Sequence, residues 1–143
     1  MSSSADVPES TTTEQLVKAD PPLVMQIVVR RDLLEAEGWG VGPLMAQVAH
    51  ATAAILHETR DIIETRSYLE DLKNMRKAVL QTSNETSLLK LSTLLSNATP
   101  PISHHMWVEQ PENVPTCIAL APNRRDNRIK KILDKSGSRL WKG

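Results

Sequence analysis

The sequence is poor in aromatic residues and carries no excess charge of either sign. Its 143 residues include no phenylalanine, and aromatic side chains make up only 3% of the chain. A protein that binds single-stranded nucleic acid by stacking bases on a sheet needs several exposed rings, so the composition argues against that class. The formal net charge is zero. No global field therefore attracts the protein to nucleic acid or to a membrane surface.

Cysteine and long apolar runs are also scarce. Cys117 is the single cysteine, which excludes a disulfide within this sequence and a cysteine-based zinc site. It lies in an apolar run, which predicts a buried, unreactive thiol. No apolar run approaches transmembrane length, and the N-terminus resembles neither a secretory signal nor a mitochondrial transit peptide. We therefore expect a cytoplasmic protein with no membrane partner.

Composition along the chain predicts one folded domain after a polar tail. Residues 1–22 are rich in serine, threonine and proline, and we expect this tail to be disordered. Residues 23–143 form the expected domain. The chain as a whole is 40% hydrophobic and 24% charged, which is ordinary for a globular protein with a single core.

The order of predicted elements indicates an α/β fold. Leu23–Val29 is a nearly continuous apolar run, which predicts a central strand covered on both faces. A glycine turn, 38–42, leads into a helix from Pro43 to about Glu58. Further elements are predicted as a helix over 65–74, a strand over 77–82, a helix capped by Ser83 or Asn84, strands over 104–109 and 116–120, and a helix over 126–134. The order β-α-α-β-α-β-β-α predicts a small single domain with a four-stranded mixed sheet flanked by helices.

The glycine turn and the helix after it carry the most suggestive pattern. The glycines can adopt positive φ and leave the main chain accessible, and the free N–H groups of the first helical turn favour an anion. Gln47, His50 and His57 follow at spacings of three and seven residues, so they share one helix face. A polar stripe on an otherwise apolar, alanine-rich helix is the first place to look for function.

Each polar candidate also has an ordinary structural interpretation. A histidine such as His50 is often a core residue with a satisfied ring, and we interpret His57 as a surface residue at a helix end. Glu109 and Glu112 are either acid/base groups or solvated loop charges; we favour Glu109 because it closes a strand. Thr116 at a strand start is, without further information, a common β-forming residue.

Several segments in order along the chain resemble the type 2 peptidyl-tRNA hydrolases of archaea and eukaryotes. The similarity is greater to one branch, the peptidyl-tRNA hydrolase domain-containing protein 1 group. It spans roughly residues 23 to 135, and it is the succession of motifs, rather than any single one, that is specific. The main carriers are Val29–Leu33 with the glycine turn, Gln47-x-x-His50-Ala51, and Trp107 with Glu109–Asn113 and Thr116–Leu120.

The resemblance implies hydrolysis of the ester that joins a stalled peptide to tRNA, a step in translation quality control, with no metal or other cofactor. Such chemistry needs an activated water, donors for the oxyanion, and cations on the acceptor-stem phosphates. A homodimer is left open. The implied catalytic residues are His50, Gln47, Glu109 and Thr116, and the candidate contacts to tRNA are Arg30, Arg31, Gly40, Gly42, Lys77, Arg124 and Arg125.

The chain departs from the family pattern at two places. Family enzymes carry a lysine in the glycine turn, where this chain has Val41 and Pro43. They also carry an aspartate after the third strand, where this chain reads Glu109-Gln110-Pro111, and Glu109 is the carboxylate available to replace it. Three hypotheses therefore stay open: a hydrolase that works without the lysine, an inactive module that binds tRNA or a protein, and a purely structural interaction domain.

Overall fold

The computed structural model describes residues 20–143, in which helices cover both faces of one five-stranded mixed sheet. A single 3-10 turn, Leu72–Asn74, precedes the second strand. The elements are β1 (Met25–Arg30), α1 (Asp32–Glu35), α2 (Val41–Glu58), α3 (Ile63–Glu70), β2 (Lys77–Thr82), α4 (Glu85–Asn97), β3 (His104–Glu109), β4 (Val114–Leu120), α5 (Asn127–Lys135) and β5 (Arg139–Leu140).

The strand order is β3-β4-β1-β2-β5. β1 and β2 are parallel, with Met25 opposite Lys77, and the remaining pairs are antiparallel. Val29 near the end of β1 lies opposite Cys117 near the start of β4. The end of β1, the start of β4 and the end of β3 therefore meet at one end of the sheet.

β1 is buried along its whole length because each face of the sheet carries its own core. That double burial explains its nearly continuous apolar sequence. On one face of the sheet, side chains of β1 pack against α2 and α3. The main members of this core are Met25, Ile27, Val29, Leu44, Ala51, Ile55 and Tyr68. The other core packs the opposite face against α4 and α5; its main members are Val28, Ile118, Leu120, Leu88, Leu91, Leu95 and Ile129.

The predicted α/β domain with a mixed sheet is confirmed, but the predicted strand count of four is wrong. The fifth strand, Arg139–Leu140, pairs antiparallel with β2 at the sheet edge. A two-residue strand has no alternating pattern from which it could be predicted. The strands predicted over 77–82 and 104–109 have those bounds in the structure. Of the predicted tail, 1–22, residues 1–19 lie outside the described residues.

Local capping accounts for two helix starts. Asn84 precedes α4 and its side-chain oxygen accepts a hydrogen bond from the Ser87 N–H at 3.0 Å. Asp126 does the same for α5 through the Ile129 N–H at 3.0 Å. Asn84, rather than Ser83, is thus the cap. No helix within residues 20–143 is both long and apolar enough to cross a membrane.

Candidate active site

The glycine turn, 38–42, leads into α2 at one end of the sheet. Gly38 and Gly40 adopt φ values of 68° and 77°, which L side chains rarely tolerate. Gly40 is the N-cap residue of α2, and no side chain among residues 20–143 caps this helix start. The first-turn N–H groups therefore remain available at an exposed position. Gly40 and Gly42, two of the predicted tRNA contacts, both lie here.

Gln47 joins α2 to the sheet. Its side chain is 2% exposed, and its Oε1 accepts a hydrogen bond from the Thr116 hydroxyl at 3.0 Å. The Cys117 thiol donates to the backbone carbonyl of Gln47 at 3.2 Å. Gln47 also lies close enough to Glu109 to lower the pKa of that carboxyl group.

Trp107 connects the remaining candidates. Its indole stacks on the imidazole of His50, with ring centroids 4.6 Å apart and planes 24° apart. The indole N–H donates to Oε1 of Glu109 at 3.0 Å, and the backbone carbonyl of Trp107 lies 3.3 Å from the Thr116 hydroxyl. His50, Gln47, Trp107, Glu109 and Thr116 thus form one contiguous group, which we call the His50–Trp107 cluster. The structure brings all four predicted catalytic residues together.

Glu109 is held as a carboxylate. The hydrogen bond from Trp107 lowers the pKa of Glu109 most, that from Gln47 also lowers it, and the charge of His50 adds a smaller effect in the same direction. Slight desolvation opposes these effects without reversing them. At neutral pH Glu109 is therefore ionised and accepts hydrogen bonds, so it suits electrostatic stabilisation better than proton donation.

Exposure divides the cluster into an outer and an inner part. His50 is exposed and Glu109 is partly exposed, so solvent and a substrate can reach both. Thr116 is fully buried and Gln47 nearly so. The two inner residues hydrogen-bond each other. This bond joins α2 to β4 beneath the exposed part of the cluster.

Trp107 is the member of the cluster whose site role we did not predict. A tryptophan in a strand is usually interpreted as a core residue, and only the spacing between Trp107 and Glu109 indicated a place in the site. Trp107 and Glu109 are two residues apart in one strand, so their side chains leave the same face of the sheet. An aromatic ring beside a candidate carboxylate on one strand face is the pattern that would have indicated the pair.

Cys117 is buried, as its apolar context predicts. Burial raises the pKa of its thiol to about 12, so it stays protonated and unreactive at neutral pH. Within residues 20–143, no three histidine, cysteine, aspartate or glutamate side chains converge as a metal site. His57 is exposed near the end of α2, in agreement with its interpretation as a surface residue.

Arg30 and Arg31, both predicted to contact tRNA, have partners within the protein. Arg30 is 7% exposed and binds Asp32 at 2.8 and 3.1 Å. It also binds the Pro115 carbonyl at 2.9 Å. Arg31 pairs with Glu35, and its guanidinium lies 4.3 Å from the ring centroid of Trp141. The other predicted contacts are Lys77, Arg124 and Arg125. They lie beside the start of β1, at the opposite end of the sheet from the cluster.

Comparison with known proteins shows the family to which the chain belongs. The model of the family described as "Peptidyl-tRNA hydrolase PTH2" matches residues 23–135. A human protein, "Putative peptidyl-tRNA hydrolase PTRHD1", is 45% identical over 106 residues, covering 73% of this chain and 74% of its own. A mouse protein of the same name is 46% identical over 114 residues, covering 79% of each chain. This chain belongs to the PTH2 family of peptidyl-tRNA hydrolases.

Proposed function

We propose that this protein hydrolyses the ester bond of peptidyl-tRNA in the cytoplasm, with His50 as the group that activates water. Family membership supports the substrate class. The observation that carries the mechanism is the placement of an exposed imidazole against Trp107, whose N–H holds the Glu109 carboxylate. A base beside a fixed negative charge is suited to proton transfer at neutral pH.

The reaction follows from these placements. Neutral His50 takes a proton from water as its oxygen attacks the ester carbonyl. The resulting imidazolium is stabilised by the charge of Glu109 and by the face of the Trp107 indole. When the tetrahedral intermediate collapses, the bond from the carbonyl carbon to the ribose oxygen breaks, and His50 returns its proton to that oxygen. The products are tRNA with a free ribose hydroxyl and a peptide with a free carboxyl group.

The oxyanion needs donors, and the family's lysine is absent at Val41 and Pro43. The N–H groups of the first turn of α2, next to Gly40 and Gly42, have no side-chain cap, and in this proposal they bind the 3′ end of tRNA. Losing one oxyanion donor costs about 10²–10³ in turnover. We therefore expect slower chemistry than in a lysine-bearing relative.

Gln47 and Thr116 act in this account as positioning residues. The Thr116 hydroxyl donates to the amide oxygen of Gln47 at 3.0 Å and fixes the orientation of that amide. Gln47 in turn lowers the pKa of the nearby Glu109 carboxyl group. Removing the hydroxyl frees the amide to rotate, which weakens its effect on Glu109.

A second candidate function is a binding module that keeps the fold without catalysis. It is favoured by one observation. Where the family carries a lysine in the glycine turn, this chain has the exposed, uncharged residues Val41 and Pro43. Such a module would bind tRNA without cleaving it.

Single-turnover hydrolysis of N-blocked aminoacyl-tRNA separates the two functions. We expect wild type to release the blocked amino acid, His50→Ala to be slower at least tenfold, and His57→Ala, the control on the same helix, to match wild type. Binding of tRNA without cleavage by wild type, with a lysine-bearing type 2 enzyme active under the same conditions, would instead establish the binding module.

A further inference from the structure

A groove of about 510 Å³ at the opposite end of the sheet from the His50–Trp107 cluster is lined by cations without a carboxylate. We call it the distal basic groove. Its cations come from two places, the start of β2 and the loop after β4. Its lining is Arg76, Lys77, Arg124 and Arg125, with Pro21, Pro22, Val24 and Ala78 between them.

The groove is well separated from the reacting ester. Lys77 lies opposite Met25 at the start of β1, whereas the cluster lies beside the other end of that strand, where Val29 faces Cys117. Four residues of strand at about 3.3 Å each place the two regions roughly 13 Å apart along the strand direction alone. A ligand that occupies both must therefore be an extended molecule.

The loop backbone that carries Arg124 and Arg125 is anchored by the buried amide of Gln26 and the half-buried amide of Asn123. Gln26, 2% exposed, exchanges two hydrogen bonds with the side chain of Asn123, at 3.1 and 2.7 Å. The Asn123 side chain also accepts the Arg125 N–H at 2.9 Å, and its backbone bridges to Val24. Arg125 adopts a φ of 58°, which is unfavourable for a residue with a side chain. Backbone strain that the surroundings enforce is typical of functional surfaces.

The four cations are not neutralised within the described structure. None of the ion pairs formed among residues 20–143 includes any of them. Arg124 donates one N–H to the Pro21 carbonyl. The Lys77 ammonium donates to the Met75 sulfur at 2.9 Å and lies 5.3 Å from the Tyr68 ring centroid. Most donors of both side chains, and all four positive charges, remain available to an anion.

We propose that the distal basic groove binds the phosphodiester backbone of the tRNA while the ester occupies the His50–Trp107 cluster. This inference rests on the proposed function for the identity of the RNA. Several fixed cations in a concave surface match a chain of phosphates, and guanidinium groups bind phosphate oxygens in pairs. The groove has no aromatic lining, so it contacts phosphates rather than stacked bases. The substrate class is accordingly an ester of a long RNA, in preference to a short nucleoside ester.

The binding test uses full-length deacylated tRNA, which requires no catalysis. Fluorescence anisotropy titrations compare wild type, the groove variant R76Q/R124Q, and the control K90Q/K131Q, which removes two exposed cations from α4 and α5. We expect the groove variant to bind about tenfold more weakly near 0.1 M salt, with its logarithmic salt slope reduced by about two. The control should match wild type within about twofold.

Three results would overturn the groove as an RNA site. The first is equal affinity of wild type and the groove variant for tRNA, and the second is no binding of tRNA by wild type. The third is that wild type binds vesicles of phosphatidylcholine with phosphatidylserine but not RNA, and that the groove variant no longer binds the vesicles. The vesicle result would assign the same cations to a lipid surface.

A hydrolysis arm tests the substrate class separately. We expect the groove variant to raise KM for N-blocked aminoacyl-tRNA several-fold and to leave cleavage of an N-blocked aminoacyl adenosine unchanged. Equal losses on both substrates would contradict a distal role. If wild type cleaves neither ester, the proposed hydrolysis fails, while the anisotropy result still decides whether the groove binds RNA.

Discussion

The imidazole of His50 lies against the indole of Trp107, with their centroids 4.6 Å apart. These residues come from α2 and β3, which are far apart in sequence and meet only in the folded sheet. The same indole donates its N–H to Glu109 at 3.0 Å. One side chain therefore positions both the candidate base and the carboxylate that supports it.

Replacing Trp107 by phenylalanine should raise the pKa of Glu109 toward its ordinary value. The stacking surface for His50 is kept, but the hydrogen bond that lowers this pKa most is lost. Carboxyl NMR titration should show Glu109 taking up its proton at higher pH than in wild type.

The same shift has a consequence for stability. Because the folded state holds the pKa of Glu109 low, the contribution of Glu109 to stability is present at pH above its unfolded pKa and is lost as pH falls through its folded pKa.

For the Trp107→Phe titration, Trp141→Phe, at a tryptophan outside the cluster, is the matched control. An unchanged Glu109 titration in Trp107→Phe would contradict the role assigned to the indole N–H.

Arg30→Gln should destabilise the fold without weakening tRNA binding. The side chain of Arg30 is 9% exposed and pairs with Asp32, and its loss leaves the Asp32 carboxylate and the Pro115 carbonyl without their donor. Charged hydrogen bonds of this kind contribute about 1.5–3 kcal/mol, so Tm should fall by several degrees in a thermal melt. Lys90→Gln serves as a surface control. Unchanged Tm with reduced tRNA affinity would instead support the direct contact that the sequence suggested.

Two glycines of the turn should respond differently to alanine. Gly40 adopts φ 77° and ψ 164°, a region used almost only by glycine, so Gly40→Ala should cost about 1–3 kcal/mol and misplace the start of α2. Gly42 lies inside the helix, and an added Cβ there meets no atom within 4 Å. Gly42→Ala should therefore be neutral or stabilising by up to about 1 kcal/mol. Urea unfolding measures both variants, and equal losses would contradict the assigned turn geometry.

Cys117 should resist alkylation in the native protein. Burial raises the pKa of its thiol to about 12, so the thiolate fraction at pH 8 is about 10⁻⁴. Iodoacetamide should modify it only after unfolding, which mass spectrometry can follow. Because the folded state keeps a proton that the unfolded chain releases, this residue should also reduce stability as pH rises above 9. Fast labelling of Cys117 in the native protein would contradict this prediction, because it would show that the thiol becomes accessible without unfolding.

Much of the fold could be predicted because its central strand is unambiguous. The apolar run Leu23–Val29 leaves few alternatives to a strand covered on both faces, and the structure buries β1, Met25–Arg30, along its whole length. The capping asparagine, Asn84, and the strand bounds at 77–82 follow from local chemistry. The edge strand Arg139–Leu140 depends on pairing with β2, and no local property of two residues specifies that.

The candidate site could be predicted only as a set of residue types. Gln47 and His50 follow from helical spacing, but their distances to Trp107 and Thr116 depend on how α2 crosses β3 and β4. The partners of Arg30 illustrate the same limit. Glu85, 55 residues away, lies 3.4 Å from its guanidinium, and no sequence pattern joins the two.

Chemical rescue of His50→Ala tests the central claim most directly. His50 is exposed, so its truncation leaves an open space above the Trp107 indole that free imidazole can enter. In single-turnover hydrolysis of N-blocked aminoacyl-tRNA, we expect the variant to lose about 10²-fold in rate and added imidazole to restore part of it in a saturable manner. A wild-type rate in His50→Ala, or a slow, folded variant that imidazole does not accelerate, would contradict the role of His50 as the base.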